Sequence, residues 1–172
     1  MAMRGFYWLI EGALAGSARP GQRERRRAGA GGEQDRAGAP DALDADLAWL
    51  HEQGIGAVLS LTETPLETGA LERHGLVGLH LPVDDLHPPT PAQLEQALDF
   101  IDRQRVRGRA VAVHCLVGQG RTGTVLAAYL IRGGIGPEKA LREVRIVCPG
   151  AVGSPAQERA LHDFATSRDW LL

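Results

Sequence analysis

The stretch from residue 110 to 130, "AVAVHCLVGQGRTGTVLAAYL", decides how this chain is read. It opens with small and β-branched apolar residues, Ala110 to Val113, as a fully buried parallel strand does. His114 and Cys115 follow, then a loop holding Gly118 and Gly120, then Arg121 and Thr122. After Arg121 the apolar residues recur at helical spacing and stop before Gly133-Gly134. A loop running from a strand end to a helix start can turn its amides inward. With the helix N-terminus these amides form an anion nest. Gly118 and Gly120 allow backbone angles that a side chain would forbid. Arg121 can grip two oxygens of the anion bidentately. The same positive surroundings favour a thiolate, since a cysteine at a helix N-terminus can fall to a pKa of about 3.5–7.5. Cys115 is therefore expected to be ionised at neutral pH, under the phosphorus of a bound phosphomonoester. Leu116, Val117, Gly118, Gln119, Gly120 and Arg121 would hold the phosphate oxygens. Thr122 would bring a hydroxyl near the sulfur, and His114 is better placed to hold the loop than to act as a base.

Two other glycine-loop readings fail. Residues 118–123, "GQGRTG", match G-x-G-x-x-G. The strand ends at His114, however, so the first glycine arrives late for a dinucleotide turn. The next element, from Pro137, is helical where a second strand with an acidic residue is needed. A phosphate loop of the Walker type needs Gly-Lys-Ser/Thr, and Arg121 follows Gly120 here.

The rest of the chain alternates strand and helix. Phe6–Ile10 reads as a short strand, Asp41–Gln53 as a helix and Ile55–Leu61 as a buried strand. A helix over Thr64–His74 and a strand over Leu76–Val83 follow. Thr90-Pro91-Ala92-Gln93 is a capping box with proline at the first helical position. Ser154-Pro155-Ala156-Gln157 repeats it before the last helix. This order predicts a single α/β domain over 1–172, a central, mostly parallel twisted sheet flanked by helices. Residues 18–40 contain no large apolar side chain and are expected to form a flexible insert; the basic cluster Arg23–Arg27 within it reads as a solvated charged segment.

The 172 residues suffice for one domain with a real core, and a net charge of −2 gives no sign of a nucleic-acid partner. No run reaches the length of a membrane span, and Glu11 interrupts the apolar run at the N-terminus, against a cleaved signal. Two cysteines are too few for a disulfide scaffold; a lone thiol beside a histidine suits a reducing, cytoplasmic compartment. Cys148, among apolar neighbours, reads as a core residue. His51, His74, His80, His87 and His162 form no metal-spaced cluster, so neither metal nor cofactor is expected.

"HCLVGQGRT" is the His-Cys-(five residues)-Arg-Ser/Thr signature of the cysteine-dependent protein tyrosine phosphatase superfamily. Further segments resemble the small atypical dual-specificity phosphatases of the VHZ-like group. These are "FYWLIEGALAGSARPG", "VLSLTE", "DDLHPPTPAQ" and "VCPGAVGSPAQERAL", and the similarity covers roughly residues 6–168. The resemblance implies a protein phosphatase acting on phosphotyrosine, and on phosphoserine or phosphothreonine, through a phosphocysteine intermediate. It implies that Asp85, in Asp85-Leu86-His87-Pro88-Pro89, is the general acid. Leu86 would pack the loop down, and Asp84 would point elsewhere. Gln157 matches a water-orienting glutamine of related enzymes, but the capping box gives it a structural reading too. Two alternatives stay open: a phosphoprotein-binding module without turnover, and an RNA 5′-phosphatase, which would be expected to show a basic groove.

Overall fold

In this computed structural model the residues described are 2–22 and 39–168. Five strands form one sheet in the order β1-β2-β5-β3-β4. They are β1 Tyr7–Ile10, β2 Leu14–Ser17, β3 Ile55–Ser60, β4 Val77–His80 and β5 Ala110–His114. Only the β1–β2 pairing is antiparallel; β2–β5, β3–β5 and β3–β4 are parallel. This is the expected α/β architecture. Two apolar layers cover the sheet. On one side α1 Ala39–Glu52 and α2 Ala70–Arg73 pack through Leu47, Leu50 and Ala70 against Ile55 and Val58. On the other, α3 Pro91–Val106, α4 Gly120–Arg132, α5 Pro137–Val147 and α6 Pro155–Arg168 bury Leu98, Ile101, Leu126, Val144 and Leu161 against Val111 and Val113.

The structure departs from the sequence reading in four places. β2 was not expected: a four-residue Leu-Ala-Gly-Ser segment shows no alternation, yet it is wholly buried beside β5. The helix expected over 64–74 shrinks to Ala70–Arg73, because Pro65 and a left-handed Gly69 (φ 79°) break it. The strand expected over 76–83 is paired only over Val77–His80. Residues 18–22, read as part of a flexible insert, are packed. Ala18 is buried, Gly21 N–H donates to Asp46 Oδ2 at 2.7 Å, and the Arg19 guanidinium donates to Thr62 Oγ1 at 2.8 Å and the Pro65 carbonyl at 2.9 Å. Ala39 and Pro40 begin α1. The remainder of that insert, 23–38 with Arg23–Arg27, lies outside the described residues.

Parallel register aligns the strand ends. His80, Ser60, His114 and Ser17 occupy neighbouring positions on β4, β3, β5 and β2. His114 is fully buried in this row; its Nε2 lies 2.7 Å from Ser60 Oγ. Burial pushes the imidazole down to about 3, so it is neutral in the folded state. The unfolded chain takes up this proton near its ordinary pKa of about 6.5, whereas the folded chain does not until about 3. Stability from this group is therefore lost as pH falls through that window. The slope is at most about 1.4 kcal/mol per pH unit. Urea unfolding of wild type and His114→Asn at pH 7 and pH 5 should show the wild type losing more stability on acidification. Equal losses would place the proton elsewhere.

Candidate active site

β5 delivers Cys115 to the carboxyl edge of the sheet, beside the N-terminus of α4. The loop between them is shaped by where its carbonyls go. Leu116 O accepts from Arg19 N at 3.1 Å, and Gly118 O accepts from the Tyr7 hydroxyl at 2.7 Å. Gln119 O accepts from Gly123 N at 2.8 Å and Val152 N at 3.3 Å. A trans peptide is planar, so the N–H after each carbonyl points the opposite way. Tying these three carbonyls to the surrounding fold therefore turns the N–H groups of Val117, Gln119 and Gly120 to the other side. Gly118 N–H joins them and donates to Cys115 Sγ at 3.3 Å. Gly118 needs to be glycine: its φ is +84°, and a Cβ there would lie 2.5 Å from the Ser17 backbone. The Cys115 thiol is buried, while Leu116 and Val117 expose their side chains at the rim.

Arg121 is 1% exposed, although a charged side chain is almost never fully buried unless it is paired. Its Nη1 donates to Val83 O at 2.8 Å and Glu63 Oε2 at 3.0 Å. Its Nη2 lies 3.4 Å from Asp85 Oδ1. Nε has no partner, nor do the buried hydroxyls of Thr122 and Ser17. One edge of the guanidinium is thus fixed by protein, and the Nε–Nη2 edge keeps the fork that binds an oxyanion bidentately. Unpaired buried donors are costly unless something fills them. An anion held by this fork and the loop amides would do so. Among the described residues no group of three or more His, Cys, Asp or Glu side chains could hold a metal ion.

The structure brings Asp85 to Arg121, places Cys115 at the start of the loop that leads into α4, and puts Thr122 in the first buried turn of that helix. His114 supports the loop, its Nδ1 lying 3.3 Å from Cys115 O. Of the two aspartates it is Asp85 that faces Arg121; Asp84 contributes its backbone carbonyl to His87 N at 3.1 Å.

Two sequence expectations are corrected. Leu86 does not pack the acid loop down: it is 64% exposed, in a left-handed conformation (φ 64°) that points its N–H at Asp85 Oδ1, 3.0 Å away. α6 holds the loop instead, Ser154 Oγ donating to Leu86 O at 2.8 Å and Gln157 Nε2 to His87 O at 3.2 Å. Gln157 does not close the capping box either. Its backbone N–H reaches Ser154 Oγ at 3.2 Å, but its amide oxygen accepts from Gly153 N at 2.9 Å. This buried side chain would also lie 3.2 Å from a Cβ on Gly120, so it sits between acid loop and signature loop.

The sequence reading missed Glu63. Its carboxylate accepts from Arg121 with one oxygen and from Asp85 N–H at 3.0 Å with the other, joining the two loops. A hydrogen bond from its own backbone amide, and then one from Arg121, hold this carboxyl below the usual range. It stands at the end of "VLSLTE", where a parallel strand's exit should carry site residues.

Residues 31–135 match the family described as polymorphic toxin system, DSP-PTPase phosphatase. The phosphatidylglycerophosphate phosphatase PTPMT2 of Arabidopsis thaliana is 31% identical over 129 residues, 70% of this chain and 55% of that protein. The human protein tyrosine phosphatase type IVA 3 is 31% identical over 107 residues, 61% of this chain and 62% of its own length. The chain thus spans less than two thirds of these relatives. The solved structure of Tk-PTP in the active form superposes with a TM-score of 0.76 at 28% identity, over 94% of this chain and 97% of that one. With the family match spanning more than half of the sequence and the signature loop folded as a cradle, the chain belongs to the DSP-PTPase phosphatase family.

Proposed function

We propose that this protein hydrolyses phosphotyrosine in proteins, with phosphoserine and phosphothreonine also accepted, through a phosphocysteine intermediate. The observation that carries this reading is the Arg121 fork. The fork's Nε is buried without a partner, on the helix whose preceding loop points the Gly118 N–H at Cys115 Sγ. Cys115 Sγ attacks phosphorus in line; the S–P bond forms as the ester O–P bond breaks. The loop amides and the Arg121 fork hold the equatorial oxygens, where transition-state charge gathers. Asp85 gives its proton to the leaving oxygen. It then takes one from the water that splits phosphocysteine, and the sulfur leaves as a thiolate stabilised by the Thr122 hydroxyl. The neutral His114 acts through the loop, not on the substrate. A protein monoester fits the charge at the rim. The signature loop holds no lysine for a second phosphate, and the exposed carboxylates of Glu63 and Asp85 stand beside Arg121. The same acidic rim disfavours RNA.

Cys115→Ser should abolish turnover of p-nitrophenyl phosphate while inorganic phosphate still binds; residual activity within tenfold of wild type would overturn the nucleophile. Parallel assays on a phosphotyrosine peptide and on phosphatidylglycerophosphate test the substrate, and faster turnover of the lipid would replace the protein assignment.

General acid catalysis is worth about 10²–10⁴-fold. Asp85→Asn should cost that much in kcat with phenyl phosphate, much less with p-nitrophenyl phosphate, whose leaving group needs no proton. Asp84→Asn should change kcat only a few-fold. The reverse pattern would exchange the two aspartates.

Glu63 is a positioning residue in this scheme. Glu63→Ala should lower kcat by about tenfold, the worth of a charge-assisted hydrogen bond. The loss should be larger with phenyl phosphate, since Asp85 loses its tether. Glu63→Gln keeps an acceptor for Asp85 N–H and should remove most of that added leaving-group dependence. Uniform losses across leaving groups would confine Glu63 to holding Arg121.

A further inference from the structure

Beneath the signature loop, on the side facing β1, a half-buried and a buried donor from opposite ends of the chain reach one oxygen. The Tyr7 hydroxyl donates to Gly118 O at 2.7 Å, and Cys148 Sγ lies 3.9 Å from the same atom. Neither residue belongs to the signature or to the acid loop. Cys148 sits among core residues, as its apolar neighbours suggested, yet its sulfur touches the underside of the loop. Burial, and then the neighbouring Cys148, push the Tyr7 phenol far above its ordinary range, so it stays a donor. An S–H is a weak donor, so the phenol does most to fix this carbonyl.

The Tyr7 ring reaches that place only because of the residue beside it. Tyr7 pairs with Gly16 across the β1–β2 ladder. A Cβ on Gly16 would collide with the Tyr7 ring and hydroxyl. Gly16 has an ordinary strand position rather than a turn, and a glycine inside a strand often marks such a close approach. From Gly16 the contacts run in one line. The bare Cα admits the ring, the hydroxyl holds Gly118 O, and Gly118 N–H meets the nucleophile's sulfur at 3.3 Å.

We propose that Tyr7 is a positioning residue for the oxyanion loop, and that Gly16 is its seat. With the Gly118 carbonyl held toward Tyr7, the planar peptide turns the Gln119 N–H into the concavity. Gly118 and Gly120 are the residues least able to hold that arrangement themselves, because glycine restricts its own backbone least. An amide set in place before the anion arrives costs no reorganisation during reaction. Tyr7 thereby supplies preorganisation without touching substrate. This inference rests on the phosphatase reading of the Cys115 loop.

Tyr7→Phe removes one oxygen and keeps the ring. The loss of one hydrogen bond predicts about a three- to tenfold weaker affinity for inorganic phosphate by calorimetry. An equal fall in kcat/KM for p-nitrophenyl phosphate, and equally weakened vanadate inhibition, should accompany it. A purely structural tyrosine would lower the thermal midpoint and leave all three unchanged per folded molecule. Gly16→Ala should reproduce the affinity loss by displacing the ring. In a Tyr7→Ala background, Gly16→Ala should add nothing, since there is no ring left to displace. Phosphate affinity of Tyr7→Phe within about 1.5-fold of wild type, or additive effects of the two substitutions, would overturn the proposal. If the wild type binds phosphate without turning over any ester, the phosphatase reading fails. The phosphate affinities still decide the role of Tyr7.

Discussion

Everything at this site depends on carbonyl oxygens being pulled away from it. The loop after Cys115 can offer N–H groups to an anion only if the carbonyl of each preceding peptide is satisfied on the other side. Three separate parts of the fold provide for this: Arg19 and Tyr7 from the N-terminal segment, and the α4 N-terminus with Val152. The cradle is therefore a property of the packed molecule, not of the loop sequence alone. It also explains why β2 must run parallel and close beside β5. Gly118 presses on the Ser17 backbone, with no space for a side chain between them.

The buried Arg121 is the second constraint. A guanidinium out of water needs most of its donors paired. Here Val83 O and Glu63 pair Nη1, so the side chain is oriented before any ligand arrives. Glu63 then reaches past Arg121 to Asp85 N–H. Since the N-terminus of α6 grips the same loop at Leu86 O and His87 O, Asp85 and Arg121 are held in register from two sides. The strained Leu86 backbone, left-handed and exposed, lies between these two grips, at the residue after Asp85.

What the sequence revealed, and what it hid, follows from sequence distance. Cys115, Arg121 and Thr122 were legible because one strand–loop–helix unit must carry them at fixed spacing. That Asp85 would lie near Arg121 was suggested by resemblance alone. Tyr7, Arg19 and Glu63 were not: each acts on residues 58 to 111 positions away or through the backbone, where no spacing rule applies. The two capping patterns make the point within one motif. Thr90-Pro91-Ala92-Gln93 closes both bonds of its box. Ser154-Pro155-Ala156-Gln157 closes one, because the Gln157 amide is taken by Gly153 and the acid loop. The local pattern is nearly the same, and tertiary contacts decide the outcome.

Charge around the cradle narrows what can enter it. Arg121 supplies the buried cation, and its inner edge is already shared with Glu63. The exposed carboxylates of Glu63 and Asp85 stand against Arg121, while Leu86, Leu116 and Val117 expose apolar side chains. A second phosphate would find like charge at this rim rather than a partner. An uncharged ring or alkyl body finds apolar surface within reach. In the function proposed for this chain, the cradle takes one phosphate and this rim meets the uncharged body that carries it.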